Sequence, residues 1–131
     1  MSAENLETGI PENNTGLRRI QNALIFSVHG IRACMRTEEA FRQEVFMAAL
    51  MIPAAFWLGE TTVERILLIG VTFLMLIVEL LNTGIERAID RISFERHELS
   101  KESKDMGSAA VFLSVLLALL VWGLIAFDRF F

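Results

Sequence analysis

Four polar side chains recur at helical spacing from the point where a long apolar run of the sequence is interrupted. Three or four residues separate each from the next: Glu79, Asn82, Glu86 and Asp90. At about 100° per residue, that spacing puts all four on one narrow stripe of an α-helix. Burying a carboxylate in a membrane helix is costly, so such residues are rare and by default indicate a function with a partner.

This stripe runs from the depth of a lipid bilayer to water. Glu79 lies about 20 Å along the helix from its outer end, and Glu86 lies about 10 Å further on. Such a layout suits the delivery of a water-soluble reagent to a lipid. Glu79 is a candidate base for a lipid hydroxyl, and Glu86 is a candidate ligand for a divalent cation, because hard cations take oxygen ligands.

Two other interpretations of the stripe stay open at this point. A polar stripe can serve only to hold helices together in the membrane. A small proton-coupled transporter would also place a carboxylate such as Glu79 at this depth. That transporter explains neither Glu86 nor the charged residues Glu38 and Lys104, which are predicted on the same side of the membrane.

Two more segments carry candidate residues. Glu38 precedes the first apolar run, where it would supply a second carboxylate for a cation site or simply belong to a solvated helix start, since acids are favoured in the first turn. A charged loop is predicted from about Arg91 to Asp105, with Lys104 at the start of the following helix. There, free backbone amides and a lysine suit phosphate groups, although Ser103 or Asp105 could equally be an ordinary N-cap.

The composition indicates an integral membrane protein of one domain. The chain has 131 residues, of which 53% are hydrophobic and 21% charged, and a soluble domain of that size could not cover so much apolar surface. One cysteine excludes a disulfide framework. The net charge of −4 argues against nucleic-acid binding.

Apolar periodicity divides the chain into elements. Apolar residues recur every three or four positions from Leu17 to Met35, with arginines mostly off that face; this predicts a basic amphipathic helix at the membrane surface, or one packed on protein. We therefore predict an all-α membrane protein, in this order: a disordered polar tail at 1–16, a surface helix at about 17–36, and spans at about 41–59, 63–88 and 106–127.

The distribution of Lys and Arg predicts the orientation. Ten of them flank the side that holds the amino terminus and the second loop, and only Arg65 and Arg129 lie on the other side. Positive charge marks the cytoplasmic side. We therefore expect a cytoplasmic amino terminus and a carboxyl terminus outside the membrane.

Four sequence stretches resemble the bacterial membrane-embedded diacylglycerol kinase family. They are Glu39-Ala-Phe-Arg-Gln-Glu44, Ile77-Val-Glu-Leu-Leu-Asn-Thr-Gly-Ile-Glu86, and His97-Glu-Leu-Ser100 with Lys104-Asp-Met-Gly-Ser-Ala-Ala-Val111. The similarity extends from about residue 16 to the end of the chain, in order and with the family's spacing. The related undecaprenol kinases share the fold and the central carboxylates, so a polyprenol substrate is the nearest alternative.

This resemblance implies a homotrimer of three-span subunits in the bacterial inner membrane, each with an amino-terminal surface helix. Active sites would be shared between neighbouring subunits at the cytoplasmic interface. There, magnesium ATP would donate its γ-phosphate to the hydroxyl of diacylglycerol, giving phosphatidic acid. Membrane lipids and the two substrates are the implied partners.

The resemblance also implies roles for individual residues. Glu79 would be the base, with Asn82 supporting the site, and Glu38 and Glu86 would hold the metal. The nucleotide would contact Arg19, Phe26, Glu38, Glu86, Glu95, His97, Lys104 and Asp105. The lipid substrate would be bound by Arg19, Arg32, Glu44, Trp57, Glu79, Ser108 and Trp122. The chain departs from the family pattern on the surface helix, at Asn22, Phe26 and Val28.

Overall fold

The computed structural model describes residues 15–92 and 97–131 and places nearly all of them in four α-helices. These are α1 (Gly16–Thr37), α2 (Glu39–Leu58), α3 (Thr62–Ile92) and α4 (Glu98–Phe130). Helices α2, α3 and α4 are each long and apolar enough to cross a membrane. The predicted all-helical membrane architecture with three spans is therefore confirmed.

The chain divides into two compact units, Met1–Arg36 and Thr37–Phe131. The first unit contains nearly all of α1, whose bounds include the predicted range 17–36. Its location at the membrane surface stays a prediction, as does the trimer. Most of the predicted polar tail, residues 1–14, lies outside the described residues.

In the second unit, α3 packs against both α2 and α4. One buried cluster joins Ala55, Leu58 and Leu68, and a second joins Val71, Met75 and Ala118. The small side chains of Ala55 and Ala118 let the helix backbones approach closely at these contacts, which is one way that membrane helices gain packing energy without a hydrophobic driving force.

The connection between α2 and α3 is short and closed by local hydrogen bonds. Thr61 Oγ1 accepts a hydrogen bond from the Glu64 amide, and Glu64 Oε2 accepts from the amides of Glu60 and Thr61. This reciprocal arrangement is a capping box, which satisfies amides that the first turn of α3 leaves free. The connection between α2 and α3 therefore has a defined geometry.

The predicted loop from about Arg91 to Asp105 is wrong for the residues that the structure describes. Helix α3 continues to Ile92 and α4 already begins at Glu98. Its N-cap is His97, whose Nδ1 accepts the Leu99 amide at 3.1 Å, and not Ser103 or Asp105. The loop was predicted because the segment is polar, but polarity shows only that a segment lies outside the membrane. The polar first turns of α4 are helical because of this cap and because their charges pair at i,i+4 spacing.

Candidate active site

The polar stripe of α3 faces the protein interior. Glu79 is 7% exposed, Asn82 is 9% exposed and Thr83 is 5% exposed, whereas Glu86 is half-buried near the end of the stripe. The predicted helical face is therefore present. Because these side chains pack inside the bundle, their polar groups depend on protein contacts.

Asn82 links α3 to α4 at the middle of this stripe. Its Nδ2 donates a hydrogen bond to Glu86 Oε1 at 3.4 Å, one turn further along the helix. Its Oδ1 is buried and has no hydrogen-bond partner among the described residues. That oxygen lies against Gly107 of α4, where a Cβ atom would collide with it.

A second carboxylate faces Glu79 from α2. The charges of Glu44 and Glu79 lie close enough to repel each other, and Glu79 is also within repulsive range of Glu86 and Glu38. Glu44 Oε2 is buried without a hydrogen-bond partner in the described part of the chain. Three other predicted site residues therefore lie close enough to Glu79 for their charges to interact with it: Glu38, Glu44 and Glu86.

Arg87 lies at the polar end of this group of carboxylates. Arg87 donates a hydrogen bond to the Thr37 hydroxyl, and its guanidinium lies 3.7 Å from the Glu38 carboxylate. Glu38 occupies the N-cap position of α2, yet its side chain makes no capping hydrogen bond. Its carboxylate is therefore directed toward the polar end of α3 and not toward its own helix.

Lys104 bridges the same end of the bundle. Its Nζ donates to Asp90 Oδ1 at 2.6 Å, which joins α4 to the last turns of α3. Asp105 is paired with Lys101 one turn earlier in α4, also at 2.6 Å. The two residues predicted to contact nucleotide therefore lie in adjacent ion pairs, of which only the one made by Lys104 connects two helices.

Sequence reasoning missed two residues of this neighbourhood. Arg87 follows Glu86 directly, and nothing in the spacing indicates that it reaches Thr37 and Glu38 across the helix boundary. Gly107 lies in the stretch Lys104–Val111, and neither its residue type nor its spacing indicates a role. Its contact with Asn82 depends on how closely two helices approach, which the sequence does not encode locally.

Other predicted residues lie elsewhere or outside the described chain. Arg19, Phe26 and Arg32 are exposed on α1, and Ser108 is exposed on α4. His97 caps α4. Glu95 falls in the segment 93–96, outside the described residues.

The two tryptophans lie away from the carboxylates. Trp57 is near the far end of α2, where Arg129 lies 5.9 Å from the centroid of its ring. Trp122 packs against the buried clusters of the bundle. It lines an apolar cavity of about 100 Å³ together with Met47, Met51 and Met75.

The donor set fits a magnesium ion held jointly with phosphate. Mg²⁺ is typically bound by one or two carboxylates plus substrate phosphates, since it rarely has an all-protein cage. Glu38 and Glu86 supply carboxylate oxygens at the polar end of the stripe, where Arg87 connects their segments. Within residues 15–92 and 97–131, no three acidic, histidine or cysteine side chains converge on one point.

Comparison with known proteins agrees with the motifs. The family model described as prokaryotic diacylglycerol kinase matches residues 25–126. The diacylglycerol kinase of Pseudomonas aeruginosa is 49% identical over 87% of this chain and 93% of its own length. The corresponding values are 45%, 86% and 96% for the diacylglycerol kinase of Haemophilus influenzae, and 43%, 90% and 97% for that of Escherichia coli K12.

These matches cover most of this chain and most of each relative, so the similarity extends over all three spans. They confirm the resemblance drawn from the four sequence stretches and, with it, the enzyme class: a kinase that acts on diacylglycerol. The chain belongs to the prokaryotic diacylglycerol kinase family.

Proposed function

We propose that the chain transfers the γ-phosphate of ATP to the hydroxyl of diacylglycerol at the cytoplasmic membrane surface. The hydroxyl oxygen forms a bond to the γ-phosphorus, and the bond from that phosphorus to the β–γ bridging oxygen breaks. ADP and phosphatidic acid are the products. The observation that carries this proposal is the buried carboxylate of Glu79, which lies on the helical stripe that leads to the charged end of the bundle.

Glu79 is the proposed base. It is buried, and no cation forms an ion pair with it among the described residues, so its carboxylate is free to accept the proton of the lipid hydroxyl. Its carboxylate lies within the electrostatic range of Glu44 and Glu86. Asn82 holds Glu86 beside it through the amide hydrogen bond.

Glu38 and Glu86 are the proposed metal ligands. When bound, Mg²⁺ neutralises charge on the phosphates and makes the γ-phosphorus easier to attack. Glu38 reaches this point because its side chain is not used for capping α2. Arg87 lies beside it and supplies positive charge on the same side of the site.

The remaining predicted residues surround these groups in the proposal. Nucleotide contacts fall to Lys104 and Asp105 on α4, with Glu95, His97 and, from α1, Arg19 and Phe26. Lipid contacts fall to Arg19, Arg32, Glu44, Ser108, Trp57 and Trp122. Trp122 supports a place for an acyl chain because it lines an apolar cavity between the three spans.

The proposed assembly is a homotrimer in the bacterial inner membrane, with active sites shared between neighbouring subunits. Large apolar side chains are exposed on all three spans, including Leu50, Ile77 and Leu116, which suits contact with lipid and with other subunits. The helix α1 would lie on the cytoplasmic surface with its arginines toward anionic headgroups.

Measuring ADP release by the purified protein in mixed micelles tests the reaction. We expect turnover with magnesium ATP and diacylglycerol, and little with undecaprenol at the same mole fraction. Turnover with undecaprenol alone would keep the phosphoryl transfer and replace the lipid substrate. Folded protein that is silent with both lipids would contradict the proposal and direct the work to proton-coupled transport assays.

A further inference from the structure

We propose that Gly107 is a positioning residue of the active site, which lets α4 approach α3 so closely that the Asn82 amide is held against Glu86. This inference deepens the proposed function and depends on it, because Glu86 is there the metal ligand. Gly107 touches neither substrate nor metal in this account. It acts on Asn82 alone.

The first observation is steric. A Cβ atom at Gly107 would overlap Asn82 Oδ1, would lie 3.3 Å from Asn82 Cγ, and would lie 3.9 Å from Asn82 Cβ. The collision is thus with the tip of the amide, whereas the root of the side chain is at an ordinary distance. Any larger residue at this position would turn the amide before it separated the helices.

The second observation is the unpartnered oxygen. Asn82 is 9% exposed, and its Oδ1 has no hydrogen-bond partner among the described residues. A buried acceptor without a partner costs free energy, so each one calls for an explanation. Here the glycine hydrogen that replaces a side chain points toward that oxygen, a geometry in which a weak Cα–H···O contact forms between helices.

The orientation of the amide follows from the charge of Glu86. Asn82 Nδ2 donates to Glu86 Oε1 at 3.4 Å. Exchanging the two amide atoms would set an acceptor oxygen against the carboxylate, which is repulsive. Glu86 therefore selects the nitrogen on its side, and the space left by Gly107 takes the oxygen on the other. Loss of that space forces the amide away from Glu86.

A comparison of four proteins tests this: the native chain, Gly107→Ala, Asn82→Ala and the double variant. We expect Gly107→Ala to raise the KM for Mg²⁺ about tenfold, the lower range for residues that orient metal ligands, with the KM for diacylglycerol nearly unchanged. In the Asn82→Ala background the same substitution should add less than about twofold, because its target is gone. Additive effects, or an unchanged KM for Mg²⁺ in Gly107→Ala, would overturn the inference.

Unfolding in detergent micelles gives a second readout that needs no turnover. Alanine is a better helix former than glycine, so Gly107→Ala should lower the unfolding midpoint only where Asn82 is present, and should leave it unchanged or raise it in Asn82→Ala. A midpoint lowered equally in both backgrounds would show simple overpacking of α4 and would overturn the role through Asn82.

Gly123→Ala is the matched control, since Gly123 lies on the same helix with open space at the Cβ position; its metal KM should stay native. Failure of the inference is distinguishable from failure of the proposed function. If Asn82→Ala itself kept the native metal KM, then the role of Asn82 at the site would be wrong. If only the Gly107 effects were additive, then the positioning role alone would be wrong.

Discussion

Glu79 combines two properties that stability alone would not select. Its carboxylate is buried, and it faces the charges of Glu44, Glu86 and Glu38. Burial of a charge without a paired cation destabilises a folded chain. A residue kept against that cost is a candidate for function, because active sites are where stability is exchanged for reactivity.

Replacing Glu79 with Gln separates its two roles. The amide keeps the shape of the side chain but cannot accept the hydroxyl proton, so kcat should fall by about 10²-fold or more. The free energy of unfolding should stay unchanged or rise, because the repulsion with Glu44 and Glu86 is removed. Turnover in micelles and an unfolding titration measure both effects.

A matched control for that variant is Glu102→Gln, which removes an exposed carboxylate from the first turns of α4. Its turnover and its unfolding midpoint should both stay native. Native turnover in Glu79→Gln would remove the proposed base. A large loss of stability in that variant would instead give Glu79 a structural role.

At the scale of helices, the sequence predicted faces well and contacts poorly. The face of α3 follows from periodicity alone, because the positions of Glu79, Asn82 and Glu86 on a helix are fixed by 3.6 residues per turn. The contacts of Arg87 with Thr37 and of Asn82 with Gly107 depend on how far apart two helices lie and how they are rotated. Those quantities are set by packing over the whole bundle, so no local pattern reports them.

The turn between α2 and α3 provides a test of how these helices are fixed. Gly59 caps α2, its amide donates to the Ala55 carbonyl at 2.9 Å, and its own carbonyl accepts from Arg65 Nε at 3.0 Å. A Cβ atom there would lie 2.7 Å from Arg65 Cγ and 3.0 Å from the Ala55 carbonyl oxygen. Both are close to the backbone and cannot move freely.

Gly59→Ala should therefore destabilise the α2–α3 pair by about 1–3 kcal/mol, the usual range for overpacking. The unfolding midpoint in micelles measures this, and the KM for nucleotide should stay native, because the turn lies at the other end of α2 from Glu38. Gly70→Ala, with open space at its Cβ position, is the control. An equal midpoint in the two variants would mean that the turn tolerates a side chain.

At the scale of the whole molecule, the two ends of the bundle differ in charge chemistry. In the second unit, Arg42, Arg87, Arg91, Lys101 and Lys104 flank the end that holds the proposed site, and among the described residues the other end has Arg65 and Arg129. Both of these are held within the chain, Arg65 by the Gly59 carbonyl and Arg129 by Glu60. With two such residues against five, the second end has fewer cations to retain it in the cytoplasm.

This asymmetry predicts that the carboxyl terminus lies outside the cytoplasm, because Lys and Arg near the spans mark the cytoplasmic side. A fluorescent protein that matures only in the cytoplasm should be bright when fused before Met1 and dark when fused after Phe131. Alkaline phosphatase, which requires the oxidising compartment, should show the reverse. Retained kinase turnover in each fusion would establish that the membrane unit is folded. A bright carboxyl-terminal fusion with native turnover would reverse the orientation and would place Glu38, Glu86 and Lys104 on the side without ATP, so the proposed site would fail with it.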